Sequence, residues 1–324
     1  MTVENDFRQL LISAISKRAS DVYILPRGQH YLIKIRYQDQ LEIYNLLSLE
    51  SGKRLLNYCK FISNMAISEQ RRPQLGSYEF NYNKNNYALR FSSVGNFNNQ
   101  ESLVIRIIYP LINSNTLFFN PSKFNYLDEV IQQRGLVLFA GPTGSGKTTT
   151  IYRLAKKYAE QKIIMSIEDP VEIKEPNFLQ LQVNAEADMS YSELIKVGLR
   201  HRPDIFIVGE IRDESTAKAT IKAALSGHLV LSTIHASDPI GVINRLKELG
   251  ISQNFINQSL NGIVYQRILP TLKDSIGKCM LVVHKFKELD HEQNYNWKDW
   301  QDELEILFEN KQISEYTKQK FYWG

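Results

Sequence analysis

The first residues of the chain repeat apolar positions with the period of a helix. Apolar side chains recur at the spacing i, i+3, i+4, i+7 and i+8, at Phe7, Leu10, Leu11, Ala14 and Ile15. A single apolar stripe of this kind predicts an amphipathic helix that packs on a core. The pattern then changes to strand-like alternation over residues 31–37, where Lys34 and Arg36 share one face.

The rest of the first region mixes strand and helix patterns. Short β-favouring runs occupy residues 21–25, 77–82, 87–93 and 102–108, and a helical stretch covers 52–67. Turn-forming residues separate these runs. The pattern predicts an α+β domain over residues 1–109 that is built on an antiparallel sheet. Residues 110–125 hold two prolines and several Asn and Ser, which predicts a linker.

After residue 126 the pattern changes to that of an α/β protein. Four apolar runs, at residues 136–140, 163–167, 205–208 and 229–234, are typical of buried parallel strands. Helical patterns lie between them and begin at capping residues, Ser190, Asp213 and Asp238. Strands that alternate with helices predict a parallel sheet covered on both faces, over residues 126–324 with a helical tail at the end.

Composition sets wide limits on the kind of protein. The chain has 324 residues, 43% hydrophobic and 23% charged, with a formal charge of +4, which is ordinary for a soluble globular protein of two domains. Its two cysteines, Cys59 and Cys279, are far apart in sequence and form no CxxC pair, so we expect free thiols and no structural zinc. We find neither a secretory signal pattern nor an apolar run long enough to span a bilayer.

The strongest motif is a phosphate-binding loop. Residues 141–148 read GPTGSGKT and fit the pattern GxxxxGK[ST], between an apolar strand and a helical pattern. In such a loop backbone N–H groups surround phosphates, the lysine reaches the outer phosphates, and the hydroxyl binds magnesium. The pattern therefore predicts an ATP and Mg²⁺ site formed by Gly141, Pro142, Thr143, Gly144, Ser145, Gly146, Lys147, Thr148 and Thr149.

Carboxylates follow two of the predicted strands. Glu210 comes two residues after the run 205–208, where a P-loop ATPase holds the magnesium shell through an outer-sphere carboxylate. Glu168 and Asp169 follow the run 163–167, with Glu172 close behind. A carboxylate there could orient and deprotonate an attacking water, although a solvated turn is the simpler alternative.

Two histidines flank the fourth predicted strand. His228 precedes the run 229–234 and His235 follows it. Because the ends of parallel strands lie beside the ligand crevice, His235 is the better placed to sense a γ-phosphate. A histidine at such a position is also often a simple packing residue, and the sequence leaves both interpretations open.

Four blocks together resemble the ATPases that power type II secretion, type IV pili and competence pseudopili. GPTGSGKTTT (141–150), SIEDPVEI (166–173), LRHRPDIFIVGEIRD (199–213) and SGHLVLSTIHASD (226–238) resemble the Walker A, Asp, Walker B and His boxes of that family. The resemblance implies a RecA-like ATPase domain behind a PAS-like α+β domain, in a homohexamer with ATP between the domains. It implies that Glu168 is the catalytic acid and that Glu210 acts on the magnesium shell.

The resemblance extends into the first domain. ASDVYI (19–24) is similar to the ASDIHIE stretch of the family, and Arg90 and Arg106 stand on strands that resemble its two arginine-bearing strands. The resemblance implies that these arginines reach the nucleotide at a junction between domains or subunits. Alternation in the two strands fits a solvated face equally well.

Two differences from other members of the family indicate which of its branches the chain resembles most. No four-cysteine zinc insert follows residues 266–269, and nothing in 285–324 resembles the AIRNLIRE motif of pilus-retraction members. The chain is most similar to the competence branch, which implies a cytoplasmic motor for DNA uptake that docks on a polytopic membrane platform protein. A pilus-retraction or type II secretion ATPase, a RecA-like ATPase acting on nucleic acid, and a non-catalytic scaffold are the alternatives. Direct nucleic-acid binding is not expected, since no basic stripe is interleaved with aromatic residues.

Overall fold

The computed structural model describes residues 2–37, 40–110, 118–184, 187–272, 277–289 and 295–324. The chain divides into two compact units, Met1–Pro110 and Leu111–Gly324. Each unit has a hydrophobic core of its own. Within the described ranges, no helix is both long and apolar enough to cross a bilayer.

The amino-terminal unit is an antiparallel sheet with helices packed on it. Its described elements are α1 (Val3–Ser16), β1 (Asp21–Arg27), β2 (His30–Tyr37), β3 (Gln40–Ser48), α2 (Leu49–Ile62), β4 (Gln74–Tyr82), β5 (Asn85–Gly95) and β6 (Glu101–Ile108). The strands lie in the order β3-β2-β1-β6-β5-β4, and all neighbours are antiparallel. The apolar stripe of α1 and the buried side of α2 pack with alternate residues of the strands. The predicted α+β fold with an antiparallel sheet is therefore confirmed.

A buried ion pair joins α2 to β6. Lys60 Nζ donates to the two carboxylate oxygens of Glu101 at 2.8 and 3.0 Å, and also to the carbonyl oxygen of Glu69. The Lys60 side chain is 0% exposed and that of Glu101 is 6% exposed. Because a lone charge in a core is costly, each of the two groups depends on the other.

The carboxy-terminal unit is a mixed sheet between two layers of helices. Its described elements are α3 (Pro121–Val130), β7 (Gly135–Ala140), α4 (Lys147–Lys156), β8 (Ile164–Glu168), β9 (Leu179–Gln182), α5 (Tyr191–His201), β10 (Ile205–Val208), α6 (Glu214–Leu225), β11 (Leu229–Ile234), α7 (Pro239–Glu248), α8 (Gln253–Ser259), β12 (Leu260–Leu269), β13 (Lys278–Lys285), α9 (Lys298–Glu309) and α10 (Glu315–Lys320). The strand order is β13-β12-β7-β11-β10-β8-β9. Neighbours are parallel except β12 and β13, which are antiparallel.

Alternate residues of the central strands point into two different cores. On β7, Leu136 and Leu138 pack with α5, α6, α7, α8 and α9, whereas Val137 and Phe139 pack with α3 and α4. Helices therefore cover both faces of the sheet, which confirms the predicted α/β arrangement. A strand buried on both faces has no polar face, which explains why these strands are uniformly apolar in the sequence.

The last residues of the chain pack against β12 through aromatic side chains. The ring of Tyr265 lies 5.4 Å from the rings of Trp297 and Trp300. Trp300 is fully buried, and its Nε1 donates to the carbonyl oxygen of Phe321 at 2.8 Å. We call residues 297–324 the aromatic tail.

One expectation from the sequence differs from the structure at the predicted linker. Residues 111–117 of the segment 110–125 lie outside the described residues. The end of the segment belongs to helix α3, which begins at Pro121 and ends at Val130. Asn120 caps this helix by accepting from the backbone N–H of Ser122, and proline fits the first helical position. The helix is stable because it buries Phe124, Leu127 and Val130, a tertiary effect that turn-forming residues do not reveal.

Candidate nucleotide-binding site

The predicted site residues of the larger unit meet at one edge of its sheet. Strands β7, β11, β10 and β8 are neighbours and run parallel. Residues 141–146 follow β7 directly, and Glu168 is the last residue of β8. Glu210 and His235 follow β10 and β11 within two residues. Because the carboxyl ends of parallel strands share one edge, the sheet brings these groups together.

The loop of residues 141–146 has the backbone of a phosphate-binding loop. Gly141, Gly144 and Gly146 have φ angles of +137°, +80° and +83°, a region that side chains other than glycine disfavour. A β-carbon on Gly141 would lie 2.4 Å from the carbonyl oxygen of Gln266, so that position has no room for a side chain. Helix α4 begins immediately after the loop. Its unpaired first-turn N–H groups make the loop a favourable place for an anion.

Lys147 is held within the loop and among carboxylates. Its Nζ donates to the carbonyl oxygens of Gly141 and Pro142 at 2.8 and 2.9 Å. Burial lowers the pKa of the ammonium group to about 8, and the charges of Glu210 and Glu172 oppose that shift. The lysine therefore lies near two acids at the strand edge where the outer phosphates would bind.

A glutamine outside the recognised boxes also holds the phosphate loop. Gln266 Nε2 donates to the carbonyl oxygen of Ser145 at 2.6 Å, and the glutamine side chain is fully buried. Gln266 Oε1 and Ser145 Oγ are both buried and have no hydrogen-bond partner within the described residues. Sequence reasoning gave Gln266 no role. The available signal is an amide that directly follows the buried run Ile263, Val264 and Tyr265 of β12, since buried polar groups normally have partners.

Glu168 is buried and hydrogen-bonded. The residue is 3% exposed, and its Oε1 accepts from Ser166 Oγ at 2.7 Å and from the Tyr152 hydroxyl. Burial raises the pKa of the carboxyl group, whereas the bonds from Tyr152 and Ser166 lower it. A β-carbon on Gly209 would lie 3.3 Å from Glu168 Cγ. Glu168 therefore packs against the residue that precedes Glu210.

Glu210 is more accessible than Glu168 and has basic neighbours. Its Oε2 lies 2.5 Å from Arg212 Nε and 4.0 Å from His235 Nε2, and its side chain is 17% exposed. Burial and the charge of Lys147 lower the pKa of His235, so its imidazole is neutral near pH 7. His228 lies before the amino end of β11, at the opposite edge of the sheet from the phosphate loop.

The two predicted arginines lie in the amino-terminal unit and share one face of its sheet. Arg106 on β6 pairs in register with Arg90 on β5 and with Asp21 on β1. Arg106 Nε donates to Asp21 Oδ1 at 3.0 Å, and that carboxylate is nearly buried. Arg36 is also opposite Asp21 in register. Asp21 thus lies between Arg36 and Arg106 in the sheet, with Arg90 one strand beyond Arg106. Arg106 has a structural partner besides the nucleotide role that the resemblance implies.

The site offers oxygen ligands that suit magnesium. Thr148 and Thr149 lie in the first turn of α4, and both are half-buried. Magnesium is usually held by one or two carboxylates together with phosphate oxygens and waters. The Thr148 hydroxyl and the Glu210 carboxylate are of this hard-oxygen type.

Cys59 and Cys279 lie in different units, on α2 and β13.

The sequence profile of the family described as Type II/IV secretion system protein matches residues 1–305. The chain therefore belongs to this family, and with its complete phosphate loop it is a P-loop ATPase of the secretion type. Competence protein ComGA of Streptococcus pneumoniae is 38% identical over 302 residues, which cover 93% of this chain and 94% of that protein. Competence protein ComGA of Bacillus subtilis is 40% identical over 275 residues, 83% of this chain and 76% of that protein.

A solved structure has the same fold. The ATPase DotB of Legionella pneumophila matches with a TM-score of 0.78 and 19% sequence identity, over 98% of this chain and 95% of that chain. The predicted family and fold class are confirmed by these matches.

Proposed function

We propose that this chain is the motor ATPase of a competence pseudopilus, a type IV pilus-like structure for DNA uptake. The observation that carries the proposal is its likeness to two competence proteins ComGA, at 38% and 40% identity over most of its length. The motor works as a homohexamer at the cytoplasmic side of the membrane and docks on a polytopic membrane platform protein. ATP and Mg²⁺ are its ligands, and we expect neither zinc nor direct contact with nucleic acid.

The geometry supports a division of labour in ATP hydrolysis. Water attacks the γ-phosphorus, the bond from that phosphorus to the bridging oxygen breaks, and ADP leaves. Glu168 accepts the proton that the water loses. Lys147 offsets the charge of the outer phosphates, while Thr148 and Glu210 serve the magnesium shell. Magnesium held by Thr148 and Glu210 would supply positive charge that neutralises the phosphate oxygens.

His235 and the two arginines complete the proposed site. His235 is neutral and lies 4.0 Å from Glu210, which supports the proposal that it senses the γ-phosphate through that carboxylate. Arg90 and Arg106 approach the nucleotide when subunits assemble, because a guanidinium fork matches the spread charge of the transferring phosphoryl group. Their contact would link hydrolysis to movement between domains.

Hydrolysis is tested with Lys147→Ala, which removes the cation that the phosphates need. We expect turnover to be abolished in a phosphate-release assay with magnesium and ATP. Lys196→Ala is the matched control, because it removes a lysine from an exposed position on α5, where the side chain pairs with Glu193. Glu168→Gln should bind ATP but hydrolyse it far more slowly. A wild-type rate in Glu168→Gln would transfer the water-activating role to Glu210 or Glu172.

The pathway is tested in the cell. A clean deletion should abolish natural transformation under competence-inducing conditions, and the wild-type gene but not Lys147→Ala should restore it. Unchanged transformation with loss of a secreted protein would instead favour the type II secretion branch.

A further inference from the structure

A chain of hydrogen bonds runs between α4, β8 and β9. Tyr152 on α4 is fully buried, and its hydroxyl donates to Glu168 Oε1. Ser166, two residues before Glu168 on β8, donates to the same oxygen at 2.7 Å. Gln180 on β9 lies opposite Ser166 in the parallel register, and its Nε2 lies 2.7 Å from the Tyr152 oxygen. Tyr152, Ser166 and Glu168 are buried where these polar groups meet, and Gln180 is half-buried.

The backbone partners of Gln180 determine the direction of its hydrogen bond with Tyr152. Gln180 Oε1 accepts from the N–H of Glu175 at 2.8 Å, and Gln180 Nε2 also donates to the carbonyl of Ile173 at 2.8 Å. The amide nitrogen therefore faces Tyr152, whose oxygen must accept from it. The phenol proton is then directed to Glu168, which is the nearer of its two acceptors, since Ser166 Oγ lies 3.4 Å away.

We propose that Tyr152 is a positioning residue for Glu168, and that its hydroxyl holds the carboxylate in the orientation and ionised form that a proton acceptor needs. The proposal rests on the proposed function, in which Glu168 takes the proton of the attacking water. Tyr152 lies on α4, which begins at Lys147, so the same helix holds the phosphates at one end and the base further along.

Burial favours the neutral form of Glu168, and the hydrogen bond from Tyr152 opposes that effect. Burial is the largest influence on Glu168 and raises the pKa of its carboxyl group, and the charge of Glu172 adds to the rise. Tyr191 on α5 also faces this region, and burial, followed by the charges of Glu210, Asp169 and Glu168, raises the pKa of its phenol. The hydroxyl of Tyr152, whose own pKa is far above its usual value, stays a donor across the working pH range and lowers the pKa of Glu168.

Tyr152→Phe tests the proposal because it removes the donor and keeps the ring, which packs on Phe178 at 5.2 Å between centroids. Without the donor the pKa of Glu168 rises, so the base is protonated at pH values where it was ionised. A hydrogen bond to a charged group corresponds to a shift of about 1–2 pH units in the acidic limb of the kcat profile. Activity should recover toward the wild-type value as the pH is raised, with ATP affinity unchanged.

Tyr158→Phe is the matched control. It removes a phenol that donates to Asp128 Oδ1 at 3.0 Å, two residues beyond the end of α4 and outside the proposed site. We expect a wild-type pH profile in this variant. Ser166→Ala removes the second donor to Glu168 and should shift the acidic limb in the same direction, which keeps the test valid if Tyr152→Phe folds poorly.

A second readout does not depend on turnover. The infrared band of the protonated Glu168 carboxyl, obtained without nucleotide by subtracting the Glu168→Gln spectrum, should titrate at a higher pH in Tyr152→Phe. Equal titration in both proteins, or a loss of rate that is the same at every pH, would overturn the proposal. A wild-type rate in Glu168→Gln would overturn it too. Residual hydrolysis in Lys147→Ala would count against the proposed function and would leave the infrared result standing.

Discussion

Replacing Gln266 by methionine tests how far strand β12 determines the shape of the phosphate loop. Methionine keeps the approximate volume of the side chain but cannot donate to the Ser145 carbonyl, which now accepts at 2.6 Å. Gln266 is fully buried, so this carbonyl loses its partner where water does not replace it. A buried polar group without a partner costs about 1–3 kcal/mol, which is about 5- to 150-fold in an equilibrium constant.

We expect the cost to fall on ATP binding, because Gln266 contacts the loop and not the reacting groups. The dissociation constant of a fluorescent ATP analogue should rise by about 5- to 150-fold. Turnover at saturating ATP should change less, since bound phosphates restore the loop.

Asn261→Ala provides the matched control on the same strand. Asn261 Nδ2 donates to the carbonyl oxygens of Gln133 and Arg134 at 3.2 and 2.9 Å, before the amino end of β7 and away from the phosphate loop. Its loss should lower thermal stability without changing the ATP dissociation constant. An unchanged constant in a folded Gln266→Met protein would refute the reasoning, and equal increases in both variants would assign the effect to general weakening of β12.

Two further outcomes concern the amino-terminal unit. Arg90→Ala and Arg106→Ala should each bind ATP but lower the rate of hydrolysis at least about tenfold, measured on the assembled oligomer. An arginine at the transferring phosphate is worth about 10³–10⁵ in rate. Wild-type rates would mean that both arginines only form a solvated face of their strands. Lys60→Met should lower the free energy of unfolding of the intact chain by about 3–5 kcal/mol in a urea titration, because it leaves the Glu101 carboxylate buried and unpaired. Lys60→Met combined with Glu101→Leu should recover much of that loss, and a double variant as unstable as the single one would contradict the pairing.

The central strands of the larger sheet could be predicted because burial on both faces leaves them uniformly apolar. Strand β9, with the sequence LQLQ, could not, since it is short and lies at an edge where half of its residues are polar. Strand β3 was missed because α2 follows it without an intervening turn. The predicted helix 52–67 instead ends at Ile62, since Asn64 adopts a φ of +59° that a helix does not allow.

The predicted site residues of the larger unit have a local signal, because each belongs to a motif or directly follows an apolar strand. The residues that support them have no such signal. Tyr152 and Gln180 lie far apart in the sequence and meet at Glu168 only because α4 packs on β8 and β9 is paired with it. Gln266 likewise reaches Ser145 from β12, the strand next to β7. A side chain whose role depends on a distant partner is visible only after the strand order is known.

The aromatic tail gives the chain a natural optical probe. All three tryptophans, Trp297, Trp300 and Trp323, belong to it. Trp297 and Trp300 pack on Tyr265, the residue next to Gln266 on β12. Indole emission excited at the red edge of tryptophan absorption, where tyrosine contributes little, thus originates in the tail alone. A change in that emission when ATP binds would report on the strand that supports the phosphate loop, and one tryptophan introduced into the amino-terminal unit would report on that unit by difference.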